Sequence, residues 1–439
     1  MRDAAWVAEA AAGELLVGDP GRTGPRRAVV DSREAREGDL FVGLHGSNAD
    51  GSRFAQQALD AGAWGALVGP ARARELVEDG ASAPVIASEN TLQALGALAR
   101  AWRRELGCRV VGVTGSTGKT STKDILAALL APHMNVHRNR ENWNTEIGLP
   151  LTILEAAPGA DALVLEMAMR GEGQIAELVA IAEPDVGLIV NVGPVHLALL
   201  GTIERVAAAK AELIRDLRPG ATAIVPAGEP LLEAHLREDV ETISFGPGGD
   251  VEMRSFEGRR AVIASPGGVV ELELPFDEDY NVANTVAAVA AAYALGIAPA
   301  GRLEVAFSSL RGEIVELDGG VTVVNDCYNA NPMSMRAALE HLAASPAERR
   351  IAVLGGMAEL GSDGPRFHRE IGHLADALGI DILVTVGELA LPYAEAFGGD
   401  LHQVGDAEEA GALLEEIAMP GDRVLVKGSR SVGLEKVLA

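Results

Sequence analysis

One feature limits the possible folds more than any other. Short β-rich apolar runs alternate with Ala/Leu-rich helical stretches almost throughout the 439 residues. "RVVGVTG" precedes "TKDILAALL", and "DALVLEM" precedes "GQIAELVAIA". "VGLIVNVG", "RIAVLGG", "DILVTVG" and "RVLVKG" each stand near a helical segment. Strands that return through helices build parallel sheets covered by helices, the α/β class. A chain of this length suggests about two to four domains and can bury more than one core.

Three blocks are expected. Residues 1–106 carry their own small strands and helices, with "AVVDSREAREGDLFVGL" as the clearest strand-turn-strand. Residues 107–314 follow, and within them "AVIASPGGVVELEL" predicts a hairpin turning at Pro266-Gly267-Gly268. Residues 315–439 hold a further strand-helix series. No short-period repeat or low-complexity linker interrupts the pattern.

In "VVGVTGSTGKTSTKDILAALL", an apolar run stops at small residues, then a Lys, two hydroxyls and a helix follow. Gly115 and Gly118 let the backbone turn tightly and bring N–H groups, including those of Ser116 and Thr117, to phosphate oxygens. Lys119 would reach the outer phosphates and Thr120 would offer its hydroxyl to Mg²⁺. A helix starting near Ser121 adds its positive dipole end. Ile125, Leu126, Leu129 and Leu130 recur at helical spacing and give that helix a face to bury. The pattern G-x-x-x-x-G-K-[ST] is missed only at its first position, Val113. A nucleoside triphosphate is the natural ligand.

Such a loop needs a metal shell. "LVLEMAMRGEGQ" ends an apolar run at Glu166, and "LIVNVGPVHL" brings His196 beyond a Gly-Pro turn. Ligands bind at the carboxyl ends of such strands, although a strand-end acid and a loop histidine also occur without a metal. "GEGQIA" matches a dinucleotide fingerprint, but "MAMR" separates it from its strand and Asp185 follows too soon for the ribose acid.

Lys plus Arg number 37 against 63 Asp plus Glu, a formal net charge of −26. A general binder of nucleic-acid backbones needs the opposite sign. Anionic small substrates stay possible where local bases override the average field. Cys108 and Cys327 form no metal-ligand spacing, and free thiols in a reducing cytosol are expected. The charged, amphipathic N-terminus is not a signal peptide, and no apolar run approaches the roughly 20 residues of a membrane span. The expectation is a soluble, cytoplasmic monomer.

Together, "DSREAREGDLFVGLHGSNADG", "VTGSTGKTSTK", "NWNTEIGLPLT", "LEMAMRGEGQI", "NVGPVHLALLGTIERVAAAKAEL", "NVANTVAA" and "NDCYNANPMSMRAAL" resemble the Mur ligase family. The last segment, with "GMAELG" following, resembles the members that add D-Ala-D-Ala. The resemblance covers essentially the whole chain. It implies a small N-terminal domain for the UDP substrate, a central ATP-binding domain and a Rossmann-like C-terminal ligase domain. It also implies an ATP-dependent amide ligase of peptidoglycan precursor synthesis, joining D-Ala-D-Ala to UDP-N-acetylmuramoyl-tripeptide through an acyl phosphate.

Residue roles implied by the resemblance follow by position. Lys119 and Thr120 hold phosphates and the first of two Mg²⁺ ions, with Glu166 and His196 as metal ligands. Lys210 matches the family lysine modified by CO₂ to a carbamate; by itself it reads as an exposed helix residue. Asn281 and Asn284 fall where adenine is contacted, Arg311 where the γ-phosphate is reached, and Asp326 near the ribose. Ser32 and Arg33 match positions used for the UDP moiety. Asn144 and Thr145 face the substrate, and Tyr328, Asn329 and Asn331 line the cleft between the last two domains. Helix capping is an open alternative for Asn281 and Asn284, as turn formation is for Asn329 and Asn331. The sequence departs from the family at Ser52 and Tyr280, where His is usual, and at Gly356, where Asp is common. It also lacks the usual basic character after Arg430.

Overall fold

The strands read from the alternation assemble as sheets covered by helices in a computed structural model that describes residues 2–46, 50–140, 142–317 and 319–438. Residues 47–49, part of one segment that carries the family resemblance, lie outside the described residues. The class is α/β, as expected.

The first sheet runs Glu14–Val17, Val85–Ala87, Gly65–Val68, Asp39–Val42, Arg27–Val29, parallel except for its first strand. The central sheet has six parallel strands in the order Glu241–Phe245, Thr222–Pro226, Val186–Ile189, Arg109–Thr114, Ala162–Glu166, Val136–Arg138. Its inner strands are apolar on both faces because helices cover both, and Val110, Val111 and Val113 are fully buried. The chain visits one side of Arg109–Thr114 and then the other. That reversal opens a crevice beyond the strands' carboxyl ends.

A third, mostly antiparallel sheet contains the expected hairpin, Arg260–Ser265 with Gly268–Glu273. Only Pro266 and Gly267 form its turn; Gly268 is already paired with Ser265. The last sheet runs Glu313–Leu317, Val321–Asn325, Arg423–Lys427, Arg350–Gly355, Ile382–Val386, Asp400–Val404, with the first strand antiparallel.

One core extends from Ala4 to Val240 and passes through the helix Thr91–Leu106, joining the N-terminal sheet to one face of the central sheet. A second, from Val111 to Leu303, fills the other face beneath the helix Asp279–Ala294 and the hairpin sheet. The C-terminal sheet has its own cores on its two faces. Among the described residues, no helix is long and apolar enough to cross a membrane.

Candidate functional site

The strand Arg109–Thr114 ends in the loop 115–118, and the helix Lys119–Leu130 begins at once. It starts two residues before Ser121, which is half-buried in its first turn. Gly118 makes this entry possible with a left-handed φ of 75°. A Cβ there would also lie 2.6 Å from Oδ1 of Asn284, so glycine is required twice over.

A residue not singled out from the sequence shapes the loop. Asn191 Oδ1 accepts the N–H groups of Ser116 (3.1 Å) and Thr117 (2.9 Å), and its Nδ2 donates to Thr117 O at 3.2 Å. Ser116 Oγ donates to Gly193 O at 3.0 Å. The signal was available: a polar residue just past the apolar run "VGLIV". Asn139 does similar work beneath Glu166, accepting its N–H at 2.9 Å and donating to its C=O at 3.0 Å.

Glu166 is buried at the end of its strand. Its carboxylate accepts from Thr120 Oγ1 at 2.7 Å and from Asn144 Nδ2 at 2.8 Å. Burial pushes its pKa up, but Arg311, Lys119, Lys123 and the Thr120 hydroxyl outweigh burial and hold it below the ordinary value. A buried, ionised carboxylate beside a threonine hydroxyl is a hard oxygen donor set that suits Mg²⁺. Lys119 Nζ donates to Gly115 O at 2.9 Å. Burial lowers its pKa, Glu166 opposes this, and Arg311 lowers it further.

Lys210 corrects the sequence reading, which placed it on an exposed face. It is 2% exposed, and Nζ donates to Gly115 O at 3.0 Å. Its helix, Ile203–Arg215, buries Val206, Ala207, Ala209, Ala211, Leu213 and Ile214, so Lys210 is carried inward to the phosphate loop. Burial, reinforced by Lys119, pushes its pKa well down. A lysine so placed is readily neutral, the form that reacts with CO₂.

His196 sits at a left-handed φ of 54°, and its Nδ1 is paired with the carboxylate of Glu359 from the C-terminal domain. Ala198 N donates to Glu359 O at 3.0 Å, so main chain and side chain both join the domains here. Burial lowers the His196 pKa despite Glu359; Lys210 and Lys119 lower it further. Glu359 was not singled out from the sequence, because a mid-loop acid has no local signature.

Asn281 and Asn284 are buried at the start of their helix. Asn281 Oδ1 is buried with no protein partner, and its Nδ2 donates to Glu278 at 3.4 Å. Neither Asn is the cap, a position held by Glu278. Tyr280 meets His341 edge-on and lines a cleft with Asp326, Val324 and Leu425. Lys427 donates to Asp326 Oδ2 at 2.5 Å. Arg311 lies over the Tyr328 ring, 4.0 Å from its centroid.

Other expected residues have local partners. Asn331 Oδ1 accepts Ser334 N at 3.0 Å and caps the helix Pro332–Ala344. Asn329 Oδ1 accepts the next backbone N–H at 2.8 Å. Ser32 Oγ donates to Gln57 at 2.9 Å, while Arg33 is exposed and paired with Asp31 at 2.5 Å. Thr145 is exposed. Ser52, at the family's usual His position, is buried and donates to Gly43 O at 3.2 Å. The "GEGQIA" helix N-terminus is already satisfied, since Glu212 accepts from Gly173 N (2.6 Å) and Ala176 N (3.0 Å). A pyrophosphate would have to displace that carboxylate.

Comparisons with known proteins agree along the chain. Residues 29–103 match the family description "Mur ligase family, catalytic domain", residues 113–292 the "Mur ligase middle domain", and residues 310–430 "Mur ligase, glutamate ligase domain". The UDP-N-acetylmuramoyl-tripeptide–D-alanyl-D-alanine ligase of Synechocystis is 38% identical, over 93% of this chain and 90% of that protein. Its Bacillus subtilis counterpart is 35% identical, over 98% and 96%. The crystal structure of a MurF ligase from Thermotoga maritima in complex with ADP superposes with a TM-score of 0.79 at 33% identity, covering 94% of this chain and 96% of that one. MurF from Acinetobacter baumannii gives 0.86 at 29% identity, covering 98% and 96%. The chain belongs to the Mur ligase family.

Proposed function

We propose that the protein joins D-alanyl-D-alanine to UDP-N-acetylmuramoyl-tripeptide at the expense of ATP, in cytoplasmic peptidoglycan precursor synthesis, acting as a monomer. In this reading residues 1–106 hold the UDP end, 107–314 hold ATP and 315–439 hold the dipeptide and close the site. One observation carries the proposal: Lys119, Thr120, Glu166 and Lys210 converge on a single glycine loop, with the charge of Arg311 helping to hold the Glu166 pKa down.

A carboxylate is a poor acyl donor at neutral pH. Its oxygen attacks the γ-phosphorus of ATP, the bond to the β-phosphate oxygen breaks, and ADP leaves. The dipeptide amine then attacks the acyl carbon, the carbon–oxygen bond breaks, and phosphate departs as the amine loses its proton. The protein's task is positioning and charge neutralisation. The amides of Ser116 and Thr117, expected from the sequence to meet phosphate, are taken by Asn191, so Lys119 and the unpaired amides of the first turn of the helix Lys119–Leu130 receive the phosphates. Arg311, carried over Tyr328, meets the transferring group. Asn281 and Asn284 face adenine, and Asp326 faces the ribose. Ser32 and Arg33 contact the UDP end; Asn144 and Thr145 contact the peptide. Tyr328, Asn329 and Asn331 line the closing face. Burial between domains keeps water from the acyl phosphate.

Thr120 and Glu166 would hold one Mg²⁺; His196 and Lys210, the latter as its carbamate, would hold a second. Bound there, the ions neutralise phosphate charge. The unmodified Lys210 is a donor, so only a carbamate gives it ligand oxygens.

ADP release tests the proposal. It should require both the tripeptide nucleotide and D-Ala-D-Ala. Release driven equally well by a single amino acid and a shorter peptide would assign the chain to another reaction of the family.

A further inference from the structure

Between the strand Gly301–Arg302 and the strand Glu313–Leu317 the chain crosses from the hairpin sheet to the C-terminal sheet as an irregular strap carrying Arg311. Its beginning is packed: Leu303 is buried and Phe307 meets Phe276 with ring centroids 5.6 Å apart. Its end bends sharply, with left-handed φ at Leu310 (61°) and Gly312 (70°) on either side of Arg311. Leu310 O accepts Tyr328 N at 3.2 Å.

Between these anchors the strap has one strong polar attachment to the phosphate-loop helix. Asp124, on the helix Lys119–Leu130, is completely buried. Its Oδ1 pairs with Arg138 and lies 3.4 Å from Lys123 Nζ. Its Oδ2 accepts from both Ser308 N (2.9 Å) and Ser308 Oγ (3.0 Å). One oxygen is thus neutralised by cations, and the other is committed to the strap. A buried carboxylate without such partners is costly, so this geometry is held firmly. Asp124 rides on the helix that presents Lys119 and Thr120, and Ser308 lies three residues before Arg311.

We propose that Asp124 is a positioning residue: through Ser308 it ties the strap to the phosphate-loop helix and so sets where Arg311 reaches relative to Lys119. The proposal rests on the reading of Arg311 as the residue that meets the transferring phosphate. Strap and loop thus share one helix as their reference, and Ser308 is the last fixed point on that helix before Arg311.

The experiment is a double-mutant cycle with Asp124→Asn and Arg311→Ala, together with hydrogen exchange of the strap amides in the full-length protein. Asp124→Asn should lower kcat by about 10- to 100-fold, the range for misplacing a reacting group by about an ångström, with little change in KM for ATP. On the Arg311→Ala background it should add almost nothing, because the lost register no longer matters. Exchange at residues 304–312 should rise. Should Asp124→Asn fail to fold, Ser308→Ala removes one bond. It should give a smaller kcat loss with the same non-additivity, and Ser308→Thr should restore the rate. Multiplicative losses alongside an impaired Arg311→Ala, or unchanged strap protection in a folded variant, overturn the tether. Full kcat in Arg311→Ala removes the role of Arg311 itself, and the proposal with it.

Discussion

The phosphate loop and the C-terminal side proposed to take the acceptor are built differently. Around the phosphate loop, Glu166, Lys210, Thr120 and Asn284 are all buried, and the loop amides of Ser116 and Thr117 already have a protein partner in Asn191. On the C-terminal side, Leu389 is 60% and Leu391 46% exposed, and the Arg430 side chain is 56% exposed. Gly356 has no side chain; a Cβ there would lie 2.4 Å from that of Leu389. Charge neutralisation of a triphosphate needs donors fixed in advance, because reorganising them during reaction would cost rate. Recognition of a small dipeptide can be completed as the domains close. The difference teaches that the phosphate site is preorganised, while the side proposed to take the acceptor presents a looser surface.

Five changes would break or sharpen this contrast. Lys119→Ala should cut ATP turnover by about 10³-fold while leaving the thermal melt cooperative; near-normal turnover would show the loop is not the phosphate site. Lys210→Ala should cost on the order of 10²-fold, and CO₂ removal should depress the wild type but not the variant. A wild type indifferent to CO₂ would leave Lys210 as an unmodified amine. Glu359→Gln removes the charge of the side chain that pairs with His196 across the domains, and it should lower kcat about 10-fold with KM for ATP little changed. A rise confined to KM for ATP would place Glu359 with the nucleotide instead.

Gly356→Ala should displace Leu389 at a cost of about 1–3 kcal/mol, raising KM for the dipeptide several-fold and sparing KM for ATP. Equal effects on both substrates would mean the two ends are not independent. The smallest effect is pH-dependent. His368 is buried; its Nε2 accepts Met357 N at 2.9 Å, and its Nδ1 meets Gly364 O at 2.7 Å. Burial lowers its pKa although Gly364 opposes this. Stability from neutral His368 is therefore complete above its unfolded value, near 6.5, and is lost as pH falls through the lower folded value. Acid should loosen the acceptor side first, and His368→Gln should flatten that dependence in urea melts.

The same contrast explains what was legible in the sequence. The loop, its helix and Glu166 were readable because strand periodicity and a glycine-lysine pattern are local. So was the hairpin, apart from the exact place of Gly268. Lys210 was misread: four turns of helix do not reveal that both faces are covered, and its inward direction depends on a neighbouring loop. Asn191 and Glu359 act on residues 74 and 163 positions away. No local pattern encodes such pairings. Asn331 shows the reverse case, where a short-range preference for capping is met in full beside the proposed cleft.

The shared core from Ala4 to Val240 also bears on how the chain is made. Domains fold roughly in order of synthesis. Here one face of the N-terminal sheet packs into a core that the central block completes, while its other face is filled by the N-terminal block's own residues. The buried residues of the C-terminal clusters all lie from Val321 onward, with Leu310 and Leu197 packed against them, so that sheet can largely mature separately. Because Asn284 packs against Gly118 and the second core runs to Leu303, the phosphate loop is finished only once the chain has emerged to about that residue, with Arg311 still inside the tunnel.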